Sequence, residues 1–213
     1  MCIRDSTQIE SLESATTVAD RKSSVLQSDD LVLVRGEDSN TLTRYNQSRN
    51  RLESPMVLPT GADVQLTGSR LLVTSPQNGR VWFGEAEDVL AMDPDKDKAQ
   101  FEVGVNGVAT LTAEGSLIGL DVTTSSLVRE VNGERESTKL PFKLDPDRVG
   151  AVELSAVGNR AVVLDRVGAR IWVEGTTQVF DVSGAANAKL LPPVEQIMGG
   201  KEDVRAVYAT EAG

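Results

Sequence analysis

Histidine is absent from all 213 residues, and a single cysteine, Cys2, is present. The first absence removes the commonest general base and the commonest metal ligand. The second excludes an internal disulfide and a cysteine-based zinc site, as suits the cytosol or the exterior of an organism that makes little use of disulfides. Aromatic residues make up only 4%, so a core must be assembled mainly from Val, Leu, Ile and Ala. No run of about 18 apolar residues occurs, which excludes a membrane-spanning helix within these residues. Basic residues are outnumbered 22 to 32, giving a net charge of -10. Such a surface repels phosphate backbones and anionic lipid, so neither nucleic acid nor a membrane surface is an expected partner.

What is present is repetition. Residues 70–82 (RLLVTSPQNGRVW) and 160–172 (RAVVLDRVGARIW) each place Arg and Trp at opposite ends of two apolar runs joined by a Gly-containing turn. Residues 108–120 (VATLTAEGSLIGL) and 31–45 (LVLVRGEDSNTLTRY) read the same way, as β-hairpins with turn residues Asn40, Gly79, Gly115 and Gly168. The polar stretch 132–139 (NGERESTK) is expected to be a loop insertion that lengthens the last interval. Hairpins recurring at a period of about 40 predict the blades of a β-propeller. Runs such as 31–34 and 161–164 are apolar at consecutive positions, which predicts burial on both faces; a two-layer sandwich is the structural rival. The fold class is therefore all-β, an incomplete β-propeller of about four blades of antiparallel four-stranded sheets, WD40/YVTN-like or quinoprotein-like. Short helices are expected at 84–92 and 192–198.

Both ends of the chain read as cuts. Residues 1–6 (MCIRDS) match the translation of a transposon-end adapter, and adapter-derived residues lie outside fold reasoning. Residues 7–24 form a lead-in, and 25–213 a partial propeller, truncated in its fifth blade, where 204–213 (VRAVYATEAG) begins another hairpin.

Residues that invite a chemical role each have a plainer reading. Residues 75–82 (SPQNGRVW) resemble the Asp-box turn of sialidase-like propellers, with Gln77 in place of its aspartate; that turn is structural and expected to be remote from an active site. Trp82 and Trp172 are expected to pack blades rather than stack sugars. Asp93, Asp95 and Asp97 alternate like the start of a calcium loop, but Lys98 and Gly104 occupy positions where an EF-hand needs glycine and glutamate. No phosphate loop and no nucleophile elbow occur. No catalytic, cofactor-binding or metal-ligating residue is nominated, and no cofactor is expected.

Residues 62–74 (ADVQLTGSRLLVT), 159–172 (NRAVVLDRVGARIW) and 181–185 (DVSGA) resemble the N-terminal propeller region of large actinobacterial cell-surface proteins with fibronectin type III or Ig-like domains. The resemblance covers most of residues 25–213. It implies a membrane helix ahead of the propeller, a tandem array of fibronectin-like modules behind it, and an extracytoplasmic location; that family offers no catalytic residues to carry over. The expectation is a non-catalytic interaction or scaffold domain whose partner is a protein or a cell-envelope glycan. A propeller enzyme (a glycan hydrolase or a quinoprotein-like dehydrogenase) and a purely structural spacer remain open alternatives.

Overall fold

The structure is a computed structural model that describes residues 22–28, 30–131, 134–183, 189–190, 197–198, 204–205 and 208–209. The adapter-like residues 1–6 and most of the lead-in lie outside the described residues. So do Gly213 and much of the expected fifth hairpin.

Four antiparallel sheets follow one another along the chain. The first contains β1 (Ser23–Ser28), β2 (Leu31–Gly36), β3 (Thr41–Asn46) and β4 (Arg51–Leu52), with β5 (Met56–Val57) also on β3. The second contains β6 (Asp63–Thr67), β7 (Arg70–Ser75), β8 (Arg80–Glu85) and β9 (Phe101–Glu102), with α1 (Ala86–Leu90) after β8. The third runs β10 (Val108–Leu111), β11 (Leu117–Asp121), β12 (Ser126–Val131), β13 (Glu134–Lys139). The fourth runs β14 (Val152–Val157), β15 (Arg160–Asp165), β16 (Arg170–Val173), β17 (Val179–Asp181). Each is a blade, and together they form an incomplete β-propeller. Beyond them β18 (Lys189–Leu190) pairs with β21 (Tyr208–Ala209), and β19 (Ile197–Met198) with β20 (Val204–Arg205). A helix was expected over 192–198; Ile197 and Met198 are strand, and the rest of that segment is undescribed.

The second and third strands of every blade are joined by a four-residue turn that ends in the left-handed region, where a Cβ is normally disfavoured. The residues there are Asn40, Gly79, Ser125 and Ala169, with φ of 51°, 70°, 53° and 49°. One sequence expectation is corrected by this. Gly115 belongs to the turn between β10 and β11, the first hairpin of its blade, so it is not the counterpart of Asn40 and Gly79. Gly168 lies in the expected turn, one residue before the left-handed Ala169. With the phase corrected, the spacings become 39, 46 and 44 residues (79 − 40, 125 − 79 and 169 − 125). The described part of the polar stretch, residues 134–139, is therefore no insertion. Glu134–Lys139 is the outermost strand β13, in register with β12 from Val131↔Glu134 to Ser126↔Lys139 and exposed at all six positions. Charges along such an edge discourage pairing with a foreign strand.

Burial on both faces follows from blade stacking. In β7, Leu71 and Val73 join Leu33, Leu42 and Trp82 in the core between the first and second blades. The intervening Leu72 joins Val81, Leu117 and Val128 between the second and third. Likewise Ala161 and Val163 of β15 pack with Ile118, Leu120 and Trp172, while Val162 and Leu164 lie on the opposite side with Ile171 and Leu190. Alternate side chains still point to opposite faces, but both faces are core. This excludes the sandwich rival, in which one face of each sheet would meet water. The first blade departs from the expectation: in 31–34 only Leu33 is fully buried. Each fully buried Leu, Ile or Val contributes about 1.5–3 kcal/mol, so these inter-blade faces dominate stability.

Arginines tie each blade to the next. Arg35 Nη2 donates to Ala62 O at 2.7 Å, Arg70 Nη1 to Gly115 O at 2.7 Å, and Arg129 Nη2 to Asn159 O at 2.8 Å. Arg129 also pairs with Glu174, whose Oε2 accepts the Ala161 amide at 2.9 Å.

Candidate functional site

The first strands of successive blades converge, with β10 against both β6 and β14. They line a cleft of about 500 Å³ on the inner side of the arc. Its composition follows from register. Asp63 pairs with Thr74 and Glu153 with Leu164, each partner five residues before its blade's left-handed turn residue; Val108 pairs with Leu120 in the same relation to Ser125. Asp63, Val108 and Glu153 are thus equivalent positions forming one layer. Gln65, Thr110 and Ser155, two residues further along the same strands, form the next. All six line the cleft.

Much of this polar surface already joins one blade to another. Gln65 Oε1 accepts from Thr110 Oγ1 at 3.0 Å and from the Leu111 amide at 2.7 Å. Glu153 Oε2 accepts the Leu190 amide at 2.7 Å, and its Oε1 is ion-paired with Arg166. Asn106 Nδ2, on the rim, donates to Pro146 O at 2.9 Å. Asp63 is placed differently. Desolvation by the surrounding strands raises its pKa above the usual carboxylate value, opposed by a hydrogen bond from the Val64 amide and by the nearby Arg35 charge. Asp63 is nonetheless an exposed residue, so the strands desolvate its carboxyl on one side only. The walls are aliphatic, with Val64, Val108, Val152 and Leu154, and among the described residues no aromatic ring lines the cleft.

A second cleft of about 490 Å³ lies between the first two blades, lined by Asp30, Arg44, Glu85, Glu87 and Asp88 among others. There Arg44 Nη1 meets Glu87 Oε1 at 2.5 Å, with Glu87 73% exposed, so this is a solvated ion pair on an acidic surface.

The residues singled out from sequence serve the framework. Trp82 and Trp172 are 1% and 4% exposed, each sealing an inter-blade core. Trp172 Nε1 donates to Thr176 O at 3.1 Å, whereas Trp82 Nε1 has no partner among the described residues. In the Asp-box-like turn the Gly79 amide donates to Ser75 O at 2.8 Å and Asn78 Oδ1 accepts the Arg80 amide at 3.0 Å. Pro76 of that turn forms part of the inner cleft wall. Asp93 and Asp97 serve their own loop: Asp97 Oδ2 accepts the Asp93 amide at 2.7 Å, Asp93 Oδ1 accepts the Asp95 amide at 3.1 Å, and Lys96 holds Asp93 at 2.5 Å. The pKa of Asp93 is lowered, first by Lys96.

Sequence reasoning missed the cleft residues, although a signal existed. Asp63 and Glu153 both lie 16 residues before the left-handed turn residue of their blade (79 − 63 and 169 − 153). It missed Asp165 too. That side chain is 3% exposed, Oδ1 accepts the Gly168 amide at 2.9 Å, and Oδ2 accepts Arg170 Nε at 2.8 Å. Arg170 in turn lies 4.1 Å over the ring of Phe142.

No protein-family model matches the chain, and no curated protein matches it. Solved structures do. A catalytically inactive virginiamycin B lyase from Staphylococcus aureus, solved with quinupristin, is similar at 13% identity over 79% of this chain and 57% of that one, with a TM-score of 0.51. PorZ, a surface component of the type-IX secretion system of Porphyromonas gingivalis, is similar at 11% identity over 75% and 22% of the two chains, with a TM-score of 0.48. The extracellular domain of a hybrid two-component system from B. thetaiotaomicron is similar at 11% identity over 86% and 26%, with a TM-score of 0.48. The chain spans 57% of the length of the lyase. At such identities the likeness shows the fold alone.

Proposed function

We propose that this chain is a non-catalytic interaction or scaffold domain of a cell-surface protein, working outside the cytoplasmic membrane on a protein or cell-envelope glycan partner. The observation that carries this reading is the state of the inner cleft. Gln65, Thr110 and Glu153, which could otherwise serve a reacting substrate, are spent on inter-blade hydrogen bonds and an ion pair. What remains is an aliphatic cleft with one partly solvated carboxyl, which suits holding a ligand better than transforming one. The extracytoplasmic placement rests on the resemblance to actinobacterial surface proteins, which also supplies the proposed anchor and fibronectin-like modules.

The enzyme reading has one observation in its favour, the raised pKa of Asp63, the direction that suits a proton donor. The lyase that shares the fold is inactive as a histidine-to-alanine variant. This chain has no histidine, so that residue type is not available here for such chemistry. Fold by itself assigns neither reading.

The test is retention on a surface. Labelled chain is incubated with intact actinobacterial cells, with protease-shaved cells and with purified sacculi, and bound label is measured against concentration. Saturable retention that shaving or glycan digestion abolishes supports the proposal and names the partner class. No saturable retention on any of the three contradicts it.

A further inference from the structure

We propose that the inner cleft binds an aliphatic cation, an ammonium or guanidinium group on an alkyl stem such as a lysine or arginine side chain presents, with Asp63 as its counter-ion. This deepens the reading of the chain as an interaction domain and rests on it.

Three features converge on that chemistry. Of the two carboxylates in the layer, Glu153 is already paired with Arg166 and with the Leu190 amide. Among the described residues, Asp63 receives only the adjacent Val64 amide, and the nearest guanidinium, on Arg35, donates instead to Ala62 O at 2.7 Å. An exposed carboxylate at the cleft that is short of donors gains from a ligand bringing both charge and N–H groups. Next, the walls beside it, Val64, Val108 and Leu154, match an alkyl stem. None of the described lining residues is aromatic, so they offer neither a stacking platform for sugars nor a cage for quaternary ammonium groups. Last, about 500 Å³ is the size of a small-ligand pocket, and a net charge of -10 favours the approach of cations. Arg148 also lines the cleft, but it is 69% exposed and faces Asp145 at 3.9 Å, so it opposes a cation only from the rim.

Isothermal titration of the whole chain tests this with four probes: cadaverine, N-acetyl-lysine amide, the blocked tripeptide acetyl-Val-Lys-Val-amide, and the uncharged N-acetyl-norleucine amide. The cationic probes are expected to bind saturably and norleucine at least tenfold more weakly. Asp63→Asn should weaken the cationic probes at least tenfold, Asp63→Glu should retain most of the binding, and Asp95→Asn, in an exposed loop, should change nothing. Circular dichroism verifies that each variant is folded. A tripeptide tighter than cadaverine assigns the ligand to a protein, and the reverse order to a free alkyl amine; both support the cation class. No saturable binding of a cationic probe, norleucine binding as tightly as lysine, or unchanged binding by Asp63→Asn overturns the proposal. If cells still retain the chain in that event, the interaction-domain reading survives and only the assignment of ligand and site fails.

Discussion

Replacing Gly79 by alanine and Ala169 by glycine makes opposite changes at equivalent turn positions, and the structure predicts opposite signs. At Gly79, φ is 70° and an added Cβ would lie 2.0 Å from the carbonyl oxygen of Gly104, with two further Gly104 backbone atoms within 2.6 Å. Ordinary contact begins at 3.4 Å, so the 103–107 loop must retreat by roughly 1.4 Å, about the reach that breaks a hydrogen bond. Two bonds depend on that approach, Val103 N to Gly79 O and Asn106 N to Pro76 O, both 2.8 Å. Losing them costs about 0.5–1.5 kcal/mol each, and the left-handed alanine adds roughly 1–2 kcal/mol, partly offset by a less flexible unfolded chain. The expected loss is about 2–4 kcal/mol. At Ala169, with φ of 49°, glycine relieves the same local penalty at some entropic cost. The expected gain is roughly 0.5–1 kcal/mol, or about 1–4 °C in Tm for a chain of this size. Urea unfolding followed by circular dichroism measures both. A Gly79→Ala variant within about 0.5 kcal/mol of the parent, or an Ala169→Gly variant that is less stable, would refute the assignment of the repeat's left-handed position.

Other outcomes follow from the same contacts. Trp172→Ala empties the centre of the core between the third and fourth blades and is expected to cost about 3–5 kcal/mol, read as a lower urea midpoint. Asp165→Ala leaves Arg170 Nε and the Gly168 amide without their acceptor, while Arg170 Nη2 keeps Lys143 O; a loss of about 2–4 kcal/mol is expected by the same assay, and a neutral result would mean the turn is held by its backbone alone. Asp63 binds its proton more tightly folded than unfolded. Its contribution is therefore fully favourable below the ordinary carboxylate value and is lost as pH rises through the raised folded one. Asp63→Asn should accordingly be more stable than the parent at pH 7, with the difference shrinking as the pH falls. Unfolding midpoints across a pH series measure this, and a variant less stable at pH 7 would contradict it.

How far the sequence led can be seen in the third blade. Residues 70–82 and 160–172 carry Arg, Trp and a glycine turn in matching order, and both fold as the hairpins that pattern implies. In the third blade the left-handed turn residue is Ser125, a residue that meets the backbone requirement without advertising it, while Gly115 advertises a turn one strand earlier. The phase error followed from treating glycine as the marker when φ is what the repeat maintains. Strand β13 was missed for a related reason: with all six positions exposed it has no hydrophobic period to read. The cleft was illegible because contact partners such as Gln65 and Thr110 stand 45 residues apart. Only the correct strand register brings Asp63, Val108 and Glu153 into one layer.

Whether the inner cleft holds a ligand without transforming it is decided by steady-state turnover of the parent chain and of Asp63→Asn, measured across cell-envelope glycans and quinone-linked redox dyes at pH 5–8. No turnover above background is expected for either protein in preparations that bind the cationic probes. Turnover by the parent that Asp63→Asn abolishes would contradict it and make Asp63 a catalytic acid.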